Sequence, residues 1–272
     1  MKKQFRTAML SSICLLIVGV MSLTGVTYAW FTQGSFATVS GMSMTVDAAD
    51  SGVQISVWEG SGWSNPKSSV ELLDAARTSV YPVSSIDGLN FFDISLNPAD
   101  NTQAKVQANT VANNVITYNF KLQNPGATDL PVVLDAANTK IENNERAINE
   151  AVRVAIIVYT DDTYATVEET YIWSERTGTY YGIMTDDPDY GEDEAPEWIN
   201  LTGGIVTDEH YAEEVTLNTA DECEILLPGF DENGDPVPVY IKVAVWIEGQ
   251  DGACVNKNAG DSFDITLQFD KQ

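Results

Sequence analysis

Apolar residues at every second position are the feature that most constrains this chain. Ile116, Tyr118, Phe120 and Leu122 alternate with Thr117, Asn119, Lys121 and Gln123. Val239, Ile241, Val243, Val245 and Ile247 alternate with Tyr240, Lys242, Ala244, Trp246 and Glu248. Phe263, Ile265, Leu267 and Phe269 make a third row, and Val53, Ile55 and Val57 a fourth. Successive side chains of a strand point to opposite faces, so a period of two gathers the apolar groups on one face. Such a face is stable only when packed against another one, which predicts two sheets face to face. Residues 152–159 are continuously apolar and suit a central strand.

Turn chemistry separates these runs. Asn124-Pro125-Gly126 ends one strand, and Asp87-Gly88 divides 83–86 from 89–94. Asn233-Gly234 predicts a hairpin-like junction between 225–227 and 237–247. Helix signals are few: 69–77 reads as one short helix, and 144–151 as another with Asn144 as N-cap. Residues 185–196 are dense in Asp, Glu, Pro and Gly and read as a solvated acidic loop. They lie within 160–216, a candidate insertion in which 164–173 would pair with 179–184. The expected fold is all-β, an antiparallel β-sandwich of jelly-roll or immunoglobulin-like type, with one or two short helices and this acidic insertion.

The first 29 residues are of another kind. Lys2, Lys3 and Arg6 form a basic stub, residues 8–23 are uncharged and largely apolar, and Thr27 and Ala29 place small side chains before Trp30. These are the parts of a secretory signal peptide cut between Ala29 and Trp30, which leaves a sandwich domain over 30–272. The uncharged run is also long enough to span a bilayer, so a retained anchor is the alternative, and export follows from both. Cys14 sits mid-run, where no lipoprotein signal would place it. Residues 269–272 carry no sorting motif, so any attachment to the cell is expected through the N-terminal segment or through other subunits.

Export agrees with the charge. Beyond residue 29 there are 11 basic against 40 acidic residues, a formal −29. That field repels nucleic acid and anionic lipid and suits a divalent or cationic partner. With 44% hydrophobic residues the chain is nonetheless no disordered acidic tail. Cys223 and Cys254 are the cysteines left after the leader, and in an oxidising compartment they read as one disulfide, with two free thiols as the alternative.

Catalytic patterns are missing. His210 is the single histidine and belongs to no HExxH pair; serines lack a GxSxG context, and neither a P-loop nor a dinucleotide fingerprint occurs. A non-enzymatic protein is expected. Oxygen ligands at alternate positions make Asp231, Asn233 and Asp235 a candidate Ca²⁺ site. Pro236 and Lys242 stand where an EF-hand would have its Gly and closing Glu. The acidic loop (Asp186, Asp187, Asp189, Glu192, Asp193, Glu194) is a second candidate. Trp58, Trp63, Trp173 and Trp198 are either core residues or exposed contacts.

The block Thr27-Tyr28-Ala29-Trp30-Phe31-Thr32, followed by Ala37-Thr38-Val39-Ser40-Gly41, resembles the leader region of TasA/camelysin-type exported proteins, over roughly residues 1–57. Residues 151–155 and 245–254 resemble segments of exported proteins of anaerobic Gram-positive bacteria with the same leader. The resemblance implies export through a SipW-type signal peptidase and a biofilm-matrix fibre subunit with a jelly-roll core. Camelysin-type proteins have been described as metalloproteases, a role that the missing HExxH motif speaks against here. The resemblance also implies a role for the strand behind the cut. On a strictly alternating strand Phe36, Thr38, Ser40, Met42, Met44 and Val46 share one face, and Phe36, Met42, Met44 and Val46 could complete a neighbouring subunit's sheet or their own. The expected function is a secreted, self-associating structural protein of the cell surface or biofilm matrix. The alternative is a monomeric surface module that binds carbohydrate or protein.

Overall fold

Two sheets press their apolar rows together as the alternation requires. The computed structural model describes residues 36–46, 52–72, 79–109, 114–143, 147–184, 198–254 and 258–272. The first sheet runs β14 (Glu224–Leu227), β7 (Leu130–Leu134), β16 (Ser262–Lys271), β1 (Thr38–Val46), β3 (Ser69–Leu72), and β8 (Lys140–Asn143) shares with β7 one edge of β16. The second runs β10 (Val167–Trp173), β9 (Val152–Tyr159), β15 (Pro238–Ile247), β6 (Ile116–Gln123), β2 (Gln54–Val57), antiparallel throughout. Among the described residues no helix reaches seven residues. The structure is all-β and consistent with a β-sandwich.

The core between the sheets is the meeting of two predicted rows. Phe263, Ile265, Leu267 and Phe269 of β16 and Ile241, Val243, Val245 and Ile247 of β15 are all within 1% of full burial. Burial of each such side chain contributes about 1.5–3 kcal/mol. The continuously apolar run became β9, buried at every position because both its faces are covered.

Several local expectations change. Residues 225–227 and 237–247 form no hairpin, since β14 pairs β7 in the first sheet while β15 lies in the second; the Asn233-Gly234 turn instead closes a small loop bridged by Phe230 and Pro236. The helix expected at 69–77 begins as strand β3, because an unpaired flank of β1 is available to it; residues 73–78 lie outside the described ones. The second helix is a single 3-10 turn, Ala147–Ala151, with Ile148 and Ala151 buried. Within 160–216 the expected hairpin does not form. Strand β10 folds back on β9, and β11 (Thr179–Ile183) pairs with β13 (Ala212–Thr216). The acidic loop at 185–196 lies outside the described residues.

A third layer covers part of the second sheet's outer face. It consists of β11 and β13 with β12 (Ile199–Asn200), β5 (Asp100–Ala108) and β4 (Phe92–Asn97). Tyr180, Val83 and Leu217 from this side pack on Ala155, Ile157, Ala244 and Trp246 of β9 and β15. A polar seam fixes the layer in place. Arg153 is fully buried, ion-paired with Asp251, and donates to the carbonyls of Glu150 (2.8 Å) and Val152 (3.1 Å). Its guanidinium lies 5.0 Å from the Tyr180 ring, and the Tyr180 hydroxyl donates to the Ser85 carbonyl at 2.7 Å. Gln250 accepts from the Val206 amide (2.6 Å) and donates to the Tyr181 carbonyl (3.0 Å). The wholly buried Glu248 carboxylate accepts from the Trp246 indole (3.1 Å) and the Gln250 amide (3.1 Å).

Gly88, in the loop before β4, lies tightly against β9. Its φ is +68°, and a Cβ there would lie 2.3 Å from that of Ala155. The Gly88→Ala variant is expected to lose roughly 2–4 kcal/mol through overpacking and backbone strain, read from urea unfolding. A second expectation concerns pH. Burial, only partly offset by Ser84, Arg153 and Trp246, pushes Glu248 up to about 7. A carboxyl raised above its unfolded value adds stability that is fully present below about pH 4.5 and lost as pH climbs through about 7. The unfolding free energy from urea titrations should therefore fall between pH 5 and 8 by on the order of 2–3 kcal/mol, and Glu248→Gln should flatten that slope.

Candidate functional site

The leader and its junction, Ala29 and Trp30, lie outside the described residues. Strand β1 behind it is an interior strand of its own subunit's sheet. It pairs in parallel with β16 from Thr38↔Ser262 to Val46↔Phe269, and antiparallel with β3 from Met42↔Leu72 to Thr45↔Ser69. Met44 and Met42 are buried at 0% and 4% exposure, whereas Phe36 remains 40% exposed beside Tyr81. The expected single face from Phe36 to Val46 is broken. A register shift between Val39 and Gly41 flips the alternation, so that Ala37 is buried and Ser40 faces out. A bulge inserts one unpaired residue and reverses every side chain beyond it. The Val46 backbone completes the ladder; its side chain lies outside the described residues.

The expected disulfide is absent. Cys223 and Cys254 are free, buried thiols. Cys223 ends the 3-10 turn Ala220–Glu222 and points its thiol at the Thr219 carbonyl (3.4 Å), while Cys254 follows the Asp251 turn, among Glu248, Asp251 and Arg153. Sharing a core does not bring two sulfurs into bonding geometry. Burial, with Glu222 and Asp221 nearby, pushes the Cys223 thiol up to about 12, and burial raises Cys254 as well.

The candidate calcium residues form a self-contained turn. The Asp231 carboxylate accepts the amides of Asn233 (2.8 Å) and Asp235 (2.9 Å) and the Asn233 side-chain amide (3.2 Å). These bonds, that from Asp235 first, hold its pKa below the usual value. The Asp231 oxygens thus serve their own loop, an Asx-type turn that accounts for the Asp231–Asn233 spacing. Among the described residues no three His, Cys, Asp or Glu converge on a cation-sized site. His210 is exposed in a turn, its amide bonded to Asp208.

The four tryptophans have three fates. Trp173 is buried in the main core. Trp198 lies on the third layer, 41% exposed, with the Lys105 ammonium 4.6 Å from its ring. Trp58 and Trp63 come together on the part of the second sheet that the third layer leaves open, their rings 5.4 Å apart and edge to face. They join Asn119, Asp162 and Tyr164 in lining a cleft of about 270 Å³. Beside it lie outward positions of the alternating strands: Asn119, which lines it, and Lys121 of β6, Tyr240 and Lys242 of β15, and Tyr159 of β9. Lys121 sits 5.4 Å from the Trp63 ring, and Lys242 lies 5.2 Å from Tyr159 and 5.9 Å from Tyr164. Tyr164 has a φ of 55°, a left-handed backbone that a bulky residue rarely adopts, and its ring wedges between Tyr159 (5.0 Å) and Tyr240 (6.3 Å). Sequence reasoning named the tryptophans but missed Tyr164 and its neighbours; the available signal was the aromatic at outward position 240.

No family model matches this chain, and neither a curated protein nor a solved structure does.

The thiols yield a direct check. A thiol-specific reagent should find no fast-reacting cysteine in the native chain from residue 30 onward and two equivalents after denaturation, because the thiolate is the reacting form and burial suppresses it. Zero equivalents in the unfolded, unreduced protein would indicate a bridge instead.

Proposed function

We propose that this chain is an exported, non-enzymatic structural protein of the cell surface or extracellular matrix, associating with copies of itself or related subunits through β1. The observation that carries this reading is the placement of β1. The strand lies directly behind the leader segment, and it fills a slot between β16 and β3 that its removal would leave open. An empty slot would expose an apolar groove and two rows of unpaired backbone groups. A neighbour's β1 restores the same hydrogen bonds and the same burial of Ala37, Met42 and Met44. Exchange of an identical element is a low-cost route to assembly for this reason.

Other features agree with this reading. The outer edge strand β10 carries exposed Glu168 and Glu169, charges that discourage edge-to-edge pairing. On β2 the backbone of Ile55 is paired with Lys67, at 2.7 and 2.9 Å. Both edges of the second sheet are thus guarded, which agrees with association through β1 of the first sheet. The acidic surface keeps subunits apart unless a defined contact joins them.

A covalent staple tests it. Ser43 and Thr266 are register partners in the parallel β1–β16 pair, with hydroxyls 3.4 Å apart. In the Ser43→Cys/Thr266→Cys variant, oxidation of monomers should lock β1 at home and abolish fibres seen by electron microscopy. Oxidation after assembly should link neighbours into ladders on a non-reducing gel. Stapled monomers that still form fibres, or fibres that never yield ladders, would sink the proposal.

A further inference from the structure

We infer that the open cleft on the second sheet binds a neutral sugar unit of a polysaccharide, with Trp58 and Trp63 as the surface on which the ring packs. The site is separate from β1, and the inference stands whether or not the subunits assemble.

Shape comes first. About 270 Å³ is small for a ligand pocket, so the cleft suits one ring of a longer chain rather than a large folded ligand. Trp58 keeps 42% of its surface in water although Trp63 stands edge-on beside it. A ligand with a flat apolar face would remove that surface from water, and an aromatic ring is the usual platform for such a face.

Charge then narrows the chemistry. An aromatic cluster with Asp162 on its rim would by itself suit a quaternary ammonium. Here ring faces already have cations, Lys121 over Trp63 and Lys242 over Tyr164, and an incoming cation would meet two ammonium groups. An anion would in turn face Asp162, on a chain of formal charge −26. Neither sign is favoured. What fits is an uncharged ring with C–H groups on its face and hydroxyls on its edge, which Asn119 and Asp162 are chemically suited to bind. A pyranose has both.

Backbone strain supports a function for this place. Among the described residues Tyr164 is the non-glycine residue with positive φ. Its hydroxyl reaches the Phe120 carbonyl at 3.4 Å, and two tyrosines hold its ring in the cleft wall. Strain of this kind persists where the surroundings impose it and concentrates at binding sites.

The test is titration calorimetry of the exported protein with cellohexaose, chitohexaose, xylohexaose and mannohexaose, alongside hexagalacturonate and choline. At least one neutral oligosaccharide should bind. Trp58→Ala and Trp63→Ala should each weaken it by about tenfold or more, and Trp58→Phe should retain most of the affinity. Trp198→Ala, on the third layer, should bind as the parent does, and unchanged thermal unfolding identifies variants that remain folded. Binding to none of the four neutral sugars overturns the inference. So does binding of hexagalacturonate or choline alone, or neutral-sugar binding that survives both alanine variants. The oxidised Ser43→Cys/Thr266→Cys monomer should bind sugar like the parent, which separates failure of this site from failure of assembly.

Discussion

The architecture depends on one buried ion pair. Arg153 points out of β9, away from the sandwich core, into a place that would be solvent if the second sheet had an ordinary outer face. Asp251, Tyr180 and three backbone or side-chain oxygens receive it, and Arg176 reaches the same Asp251 oxygen from the half-exposed rim (2.9 Å). Two charges taken out of water contribute little net stability on their own, since desolvation offsets most of their attraction. Their effect is positional. An unpaired buried guanidinium is costly, and where the third layer covers the Arg153 end of the sheet these partners, with the Tyr180 ring of β11 over it, receive the charge. Glu248 and Gln250, a few residues from Asp251, then tie Trp246, Val206 and Tyr181 to the same seam.

From that placement follows the division of the outer face. Where the layer sits, Ala244 and Trp246 of β15 are buried; two to four residues earlier on the same strand, Tyr240 and Lys242 are only partly covered. The cleft is what the covering layer leaves open. The opposite sheet obeys a different constraint, since β1 completes it between β16 and β3. One chain therefore carries β1 as an interior strand of one sheet and an aromatic cleft on the other, the two places to which the proposals above attach.

Much of the fold was legible because its signal is local. The rows at 116–122, 239–247, 263–269 and 53–57 all face the main core as strands, and Val152–Tyr159 is central. Other readings failed where the deciding contact lies far away in sequence. Asn233-Gly234 is a true turn, but which sheets its flanks join is set by β7 and β9, not by the turn. The alternation from Phe36 to Val46 was sound in composition and wrong in phase, because a bulge beside Gly41 has no requirement that a spacing rule can read. The cysteines read as one disulfide with two free thiols as the alternative, and the structure has the free thiols, because pairing depends on a distance no spacing encodes. Of the cleft, Trp58 and Trp63 could be named and Tyr164 could not, since its role rests on the backbone of the loop after β9.

By itself the sequence determined the two apolar-faced sheets, the acidic exterior and the leader-like segment, because alternation, charge and an uncharged apolar run act through nearest neighbours and composition. Tertiary structure alone decided which outward-facing residues are truly outside. Tyr240, Lys242, Ala244, Trp246 and Glu248 look alike in the period of two, yet the first two are half-open and the last three are buried. The physical reason is that a strand specifies two faces, whereas the covering of a face is specified by whatever elsewhere in the chain must bury its own apolar surface and satisfy the charge of Arg153.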